Sequence, residues 1–310
     1  MRGKTSSRSP NFRAMIADEF IKCLSEEKIP WKRMWQMKQP YNATTARPYR
    51  GLNTVWLSYV SEQKGYTDPR WCTFKQAEKK GWRVKNGEKG TCIEFWSLYD
   101  RKFKKTVSFE EFRSITETCP ERKSDITFLS HKSSVFNAEQ VWNIPELDLQ
   151  NTTFDVSFIS GQRNTLIRNM GVTFHEGGDR AYYSPLNDSI TMPQVAAFLN
   201  DYAYISTLLH EAGHATGHQS RLNRNLTGSF GTKSYALEEL RVEIASAFLS
   251  QALGIKGMDF AMENHKAYVQ SWAEIISKSH KELFAAIKDA EKISDYLIKM
   301  GELPNNHPHT

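Results

Sequence analysis

The stretch Thr207-Leu-Leu-His-Glu-Ala-Gly-His-Ala-Thr-Gly-His218 constrains this chain more than any other. It holds His210-Glu211-x-x-His214, the zincin metal signature. Residues four apart on an α-helix share a face, so both imidazoles can point at one ion. Glu211 is turned about 100° further round the helix and can act on a metal-bound water as general base without ligating the metal. The five-residue pattern also arises by chance on polar helices, where it is a satisfied polar cluster. Here the apolar run Tyr202–Leu209 precedes it, and Ala212, Gly213 and Ala215 are small enough to let the helix be buried. Polar groups on a buried helix need a partner such as a metal.

Two histidines need a third ligand. A metzincin would place a later histidine in HExxHxxGxxH spacing, and His218 comes too early for it. His218 therefore reads as a loop-anchoring residue or as support behind the ligands. The segment Tyr235–Leu249 reads as a buried helix closed by Gly254, with Leu237, Leu240, Ile244, Phe248 and Leu249 inward. On it Glu239 and Glu243 share a face one turn apart, so one can ligate while the other orients a histidine. We expect Glu243 as ligand and Glu239 as support, with Glu238 pointing elsewhere. Zn2+ is the default ion for such a set, and Mn2+ or Co2+ is compatible with it.

Charge divides the 310 residues unevenly. Residues 1–133 hold 27 Lys+Arg against 15 Asp+Glu, a net of +12, whereas residues 134–310 hold 14 against 20, a net of −6. Seven of the eight tryptophans (31, 35, 56, 71, 82, 96 and 142) precede residue 145. This asymmetry implies two domains, a polyanion-binding front half and an acidic back half. We place the first at 1–145, a linker at 146–162 and the second at 163–310. The fold class expected is α+β, a mixed α/β domain followed by a helix-rich one. No run of 18 apolar residues exists, which argues against a membrane span. The basic first ten residues lack the apolar core of a signal peptide. Four scattered cysteines suit a reducing cytoplasm better than a disulfide frame.

In chain order, Asn11–Lys28 reads as an amphipathic helix, Gly51–Glu62 as a second and Phe74–Lys80 as a short basic one. Asn86-Gly87 suggests a hairpin turn ahead of a strand at Thr91–Tyr99. Residues 101–132 read as a long hairpin or insertion, and Ser134–Gln140 as the closing strand and turn. Further on, Thr165–Gly171 reads as a short helix before a strand at Val172–Phe174. Arg180–Ser184 and Ser189–Met192 form a hairpin, the second being the edge strand expected to pair with extended substrate. Two helices, at about 260–277 and 280–299, end the chain, with Ser279-x-x-Glu282 as a capping box.

Binding single strands without sequence preference takes cations for phosphates and flat rings for bases. Residues 47–89 interleave them: Arg47, Tyr49, Arg50, Trp71, Lys75, Trp82, Lys85 and Lys89 are the candidates, with Trp35 upstream. Most tryptophans sit in cores, so more than half of the rings in this segment should be packing residues.

Many segments, in order, resemble the ArdC family of plasmid- and phage-borne antirestriction proteins. The N-terminal likeness rests on Ile29-Pro-Trp31, Tyr49-Arg-Gly-Leu-Asn53, Trp71-x-Thr-Phe-Lys-Gln-Ala77, Lys85–Thr91 with Phe95-Trp96, and Val135–Gln140. The C-terminal likeness rests on Gly178–Pro185, Ile190–Pro193, Leu209–His218 and Glu238–Phe248. The resemblance implies a single-stranded-DNA-binding domain, to whose contacts Asn53 and Gln76 are added, and a zincin-like metallopeptidase domain. It also implies protection of incoming plasmid or phage DNA from host restriction, and it favours Glu243 as third ligand. The same pair of domains resembles the tail of conjugative primases, but this chain has no room for a primase domain. Two other functions stay open: a coating protein with a structural or vestigial metal site, and a protease whose basic half recognises an acidic protein.

Overall fold

The computed structural model describes residues 11–35, 37–147, 156–229, 231–254 and 262–304, with the side chains of residues 33, 35, 156–160 and 262–267 outside that description. The chain forms two compact units, residues 1–69 with 146–310, and residues 70–145. This differs from the split expected near residue 145. The reason is apolar: helix α1 (Phe12–Ser25), capped by Asn11, buries Phe12, Ile16, Phe20 and Leu24, and this stripe packs on two C-terminal helices, α8 (Met262–Lys278) and α9 (His280–Met300). Trp31 lies 5.8 Å from Trp272, and both are fully buried. Helix α2 (Gly51–Lys64) also lies against α9. Residues 148–155 of the expected linker lie outside the described residues.

The first unit is helix-rich. Helix α5 (Val156–Met170), longer than the short helix expected, precedes a small sheet of β8 (Thr173–Glu176), β9 (Tyr182–Ser184) and β10 (Ser189–Met192). Strand β10 is central, parallel to β8 and antiparallel to β9. The expectation that Ser189–Met192 is the edge strand is therefore corrected: residues 173–176 reach it as a parallel partner, and the outer strands are β8 and β9. Helix α6 (Asp201–Ala215) follows, with Asn200 as its cap, and then α7 (Lys233–Leu253), which ends at Gly254 in the left-handed conformation. Ser279 makes no side-chain cap bond, so the expected capping box on α9 does not form.

The second unit is built on a long antiparallel hairpin. Strand β4 (Thr91–Asp100) pairs along its whole length with β6 (Ile126–Asn137), and β2 (Arg70–Thr73) and β5 (Lys105–Val107) flank them. Between β5 and β6 runs α4 (Phe109–Thr118), whose Phe112 and Ile115 cover Leu98, Val107 and Ile126. The segment 101–132, expected as a long hairpin or an insertion, thus carries a helix between its strands. The Asn86-Gly87 turn does not join paired strands. Strand β3 (Arg83–Val84) pairs instead with β7 (Val141–Trp142), and the Lys85 amide extends that ladder by donating to the Gln140 carbonyl.

Candidate metal centre and basic surface

Helix α6 is held where it is by its small residues. A Cβ on Gly213 would stand 2.9 Å from Val242 Cγ1, so only glycine lets α6 lie this close to α7. Ala212 and Ala215 are fully buried beside it. This close approach sets the imidazoles of His210 and His214 against the carboxylates of α7. Their Nε2 atoms are 3.2 Å apart. Glu239 places one oxygen 3.7 Å from His210 Nε2 and the other 3.5 Å from His214 Nε2.

Among the described residues, His210, His214 and Glu239 form the cluster able to hold a metal ion, their ligand atoms all within 4.8 Å of one another. The carboxylate that this geometry sets beside the histidines is therefore Glu239, where Glu243 was expected. Both lie on the right face of α7, but the turn nearer its N-terminus is the one that meets His210 and His214, while buried Glu243 contributes its charge from one turn beyond. The donors fit a divalent ion. Two nitrogen ligands at about 2.1 Å in a tetrahedral arrangement stand about 3.4 Å apart, close to the separation found.

The charges agree with the geometry. Burial works against an imidazolium at His210, but Glu239, Glu211 and Glu243 outweigh it and hold the ring up at about 9. Burial likewise opposes ionisation of Glu239, yet His210 and His214 bring its carboxyl down to about 2. Tyr235, one turn before Glu239, donates its hydroxyl to that carboxylate.

Glu238, expected to point away, is drawn into the site. It lies 3.6 Å from His214 Nδ1 and takes Arg224 on both oxygens, at 2.6 and 3.1 Å. Arg224 also binds Thr216 Oγ1 and the Gly213 carbonyl, fastening the end of α6 to α7. Sequence reading missed this pair because a helical wheel puts Glu238 off the metal face; Arg224, in the loop between the helices, decides its role. His218 stands away from the cluster, hydrogen-bonded to Ser220 and 3.7 Å from Asp188, which also binds Arg221. It anchors a loop, one of the two roles expected for it. Glu211 lines the cleft with the histidines, Tyr182, Phe198 and Tyr235; the cleft measures about 1160 Å³.

The candidate nucleic-acid residues are divided between the two units. Arg47, Tyr49, Arg50 and Asn53 belong to the first unit, and Trp71 to Lys89 to the second. Trp71 is fully buried on β2, so it is a packing residue and no stacking ring. Arg50 is bound to Glu291 at 2.9 Å and Asp295 at 2.5 Å, which spends its charge on α9 rather than on a phosphate. Gln76 accepts from the Thr73 amide in a capping box. Tyr49, Asn53 and Trp82 are half-buried, while Arg47, Lys75 and Lys89 are exposed. Lys85 donates to the Glu139 carbonyl. The side chain of Trp35 lies outside the described residues.

Comparison with known proteins agrees with both halves. Residues 10–136 match the model of the N-terminal domain of anti-restriction factor ArdC, and residues 161–289 that of a zincin-like metallopeptidase. The crystal structure of antirestriction ArdC from plasmid R388, in its Mn(II)-bound form, is 30% identical with a TM-score of 0.71, over 94% of this chain and 98% of that one. The chain belongs to the ArdC antirestriction family. The metal-free form of the R388 protein gives a TM-score of 0.72 at 29% identity. An uncharacterized Sinorhizobium fredii protein, y4eC, is a further relative, 30% identical over 88% of this chain and 85% of its own length. Two Escherichia coli DNA primases TraC are 36% identical over 93% of this chain, which spans only 27% and 20% of their lengths. Among the described residues no helix is long and apolar enough to cross a membrane.

Proposed function

We propose that this chain protects incoming plasmid or phage DNA from restriction by binding single-stranded DNA and acting on a polypeptide through a metal-dependent peptidase site. The observation that carries the second part is the His210–His214–Glu239 cluster at the floor of an open cleft. His210, His214 and Glu239 would hold the ion, Zn2+ by donor type or Mn2+ as in the R388 relative. A bound divalent ion supplies Lewis acidity toward a carbonyl and toward water. Glu211 takes the proton from the attacking water and returns it to the departing amine. The outer strand β9 borders the cleft through Tyr182 and Tyr183, so an extended peptide can add to that edge.

The first part rests on the net charge of +12 over residues 1–133, which localises the protein on DNA without reading sequence. The net of −6 over residues 134–310 keeps nucleic acid out of the peptidase cleft. The deciding experiment compares wild type with Glu211→Gln in plasmid-protection and peptidase assays. Loss of both activities with metal and DNA binding retained supports a catalytic role. Full protection by Glu211→Gln would make coating of the DNA the mechanism and leave the metal a structural part.

A further inference from the structure

We infer that Trp142, on the β3–β7 ribbon, is a base-stacking residue for single-stranded nucleic acid, with Arg83 and Lys85 holding the adjoining phosphates. This deepens the single-strand reading above and rests on it. The ring is out of place as a packing residue: 57% of Trp142 is exposed, whereas Trp31, Trp71 and Trp272 are fully buried. A tryptophan left this open offers a flat apolar face with a polar edge to a ligand.

The surroundings say what chemistry covers it. Arg83 is the direct cross-strand partner of Trp142 in an antiparallel pair, so both side chains leave the same face of the ribbon about 5 Å apart. Arg83 is exposed. Lys85 Nζ lies 4.5 Å from the centre of the indole, and its bond to the Glu139 carbonyl at 2.7 Å keeps it there. Exposed Lys79 and Lys80 stand at the end of the short helix α3 (Phe74–Lys79), which packs on β3. A flat ring framed by cations is what an unpaired base and its flanking phosphates require, because every base presents a π-face whatever its identity. Trp96, 42% exposed, stands across from Ser130, with an acidic residue, Glu94, opposite Lys132 two positions along. An acidic protein could use the cations and the ring alike, but it would leave the affinity of Trp142→Ala for an oligonucleotide unchanged.

The test measures binding of a fluorescein-labelled oligo(dT) strand by the full chain, using anisotropy across a salt series. Trp142→Ala should weaken binding about tenfold or more with the salt slope unchanged, and Trp142→Phe should restore most of it. Arg83→Ser should instead flatten the log–log salt slope by about 0.7. If Trp142→Ala binds the strand as tightly as wild type, the inference is overturned while single-strand binding stands. If Trp142→Ala leaves the affinity intact and changes the oligomeric state, the ring is an interface between copies and the inference is overturned. If wild type itself does not bind the strand, the single-strand reading falls and this inference with it.

Discussion

The metal centre and the basic surface make opposite uses of the same alphabet. At the centre the polar groups are buried or half-buried and meet one another: His210 and His214 meet Glu239, Glu238 meets Arg224, and no side chain could be added at Gly213. On the second unit the cations Lys75 and Lys89 stand in solvent, and large rings such as Phe95, Phe128 and Trp142 are open. Burial makes each residue of the first site depend on its neighbours, so its members should fail as a group. Exposure makes the residues of the second nearly independent, so their effects should be small and additive.

The largest expected effect is at the ligands. Glu239→Ala should lower Mn2+ or Zn2+ affinity by more than the roughly 10–100-fold expected of a supporting partner, while Glu238→Ala should fall within that range. Glu243→Ala should keep the metal; calorimetric titration that shows the reverse order would return the ligand role to Glu243. Arg224→Ala removes the two-point partner of buried Glu238, leaving it His214 and Arg241 at 3.6 and 3.8 Å, and should cost about 1–3 kcal/mol in denaturant unfolding. A loss below 1 kcal/mol would mean that the network is not cooperative.

Trp71→Ala tests the boundary between the two regimes, since this ring belongs to the basic segment yet is fully buried. It should destabilise the protein by about 3–5 kcal/mol, as a core truncation does. Were the variant stable and defective only in DNA binding, Trp71 would be a stacking residue after all. Gly213→Ala should cost about 1–3 kcal/mol from overpacking against Val242. At the other extreme, Lys75→Ala should leave stability within about 0.5 kcal/mol and reduce the salt slope of single-strand binding by about 0.7. A change in melting temperature of many degrees would show that Lys75 is structural.

Where the site was legible in the sequence, the reason was local geometry. The four-residue spacing of His210 and His214 survives in α6 because helical periodicity needs no tertiary information. The same rule placed Glu239 and Glu243 on one face of α7, and there it stopped. Which turn meets the histidines depends on where α6 crosses α7, and that crossing is set by Gly213 against Val242. For Trp71 and Arg50 the signal failed outright: both lie in a basic, aromatic segment, yet one is core and the other is held by α9.

By itself, then, the sequence determined the helices and strands that carry strong periodicity, the two histidines with their glutamate base, and the unequal sharing of charge. Each of these is a property of residues close in the chain or of a sum over many. The tertiary structure alone decided that α1 and α2 pack with the C-terminal helices, that β10 is the central strand, and that Glu239 faces the histidines. It also decided which rings are open. These are outcomes of competition between distant apolar surfaces for burial, and no local pattern encodes which surface wins.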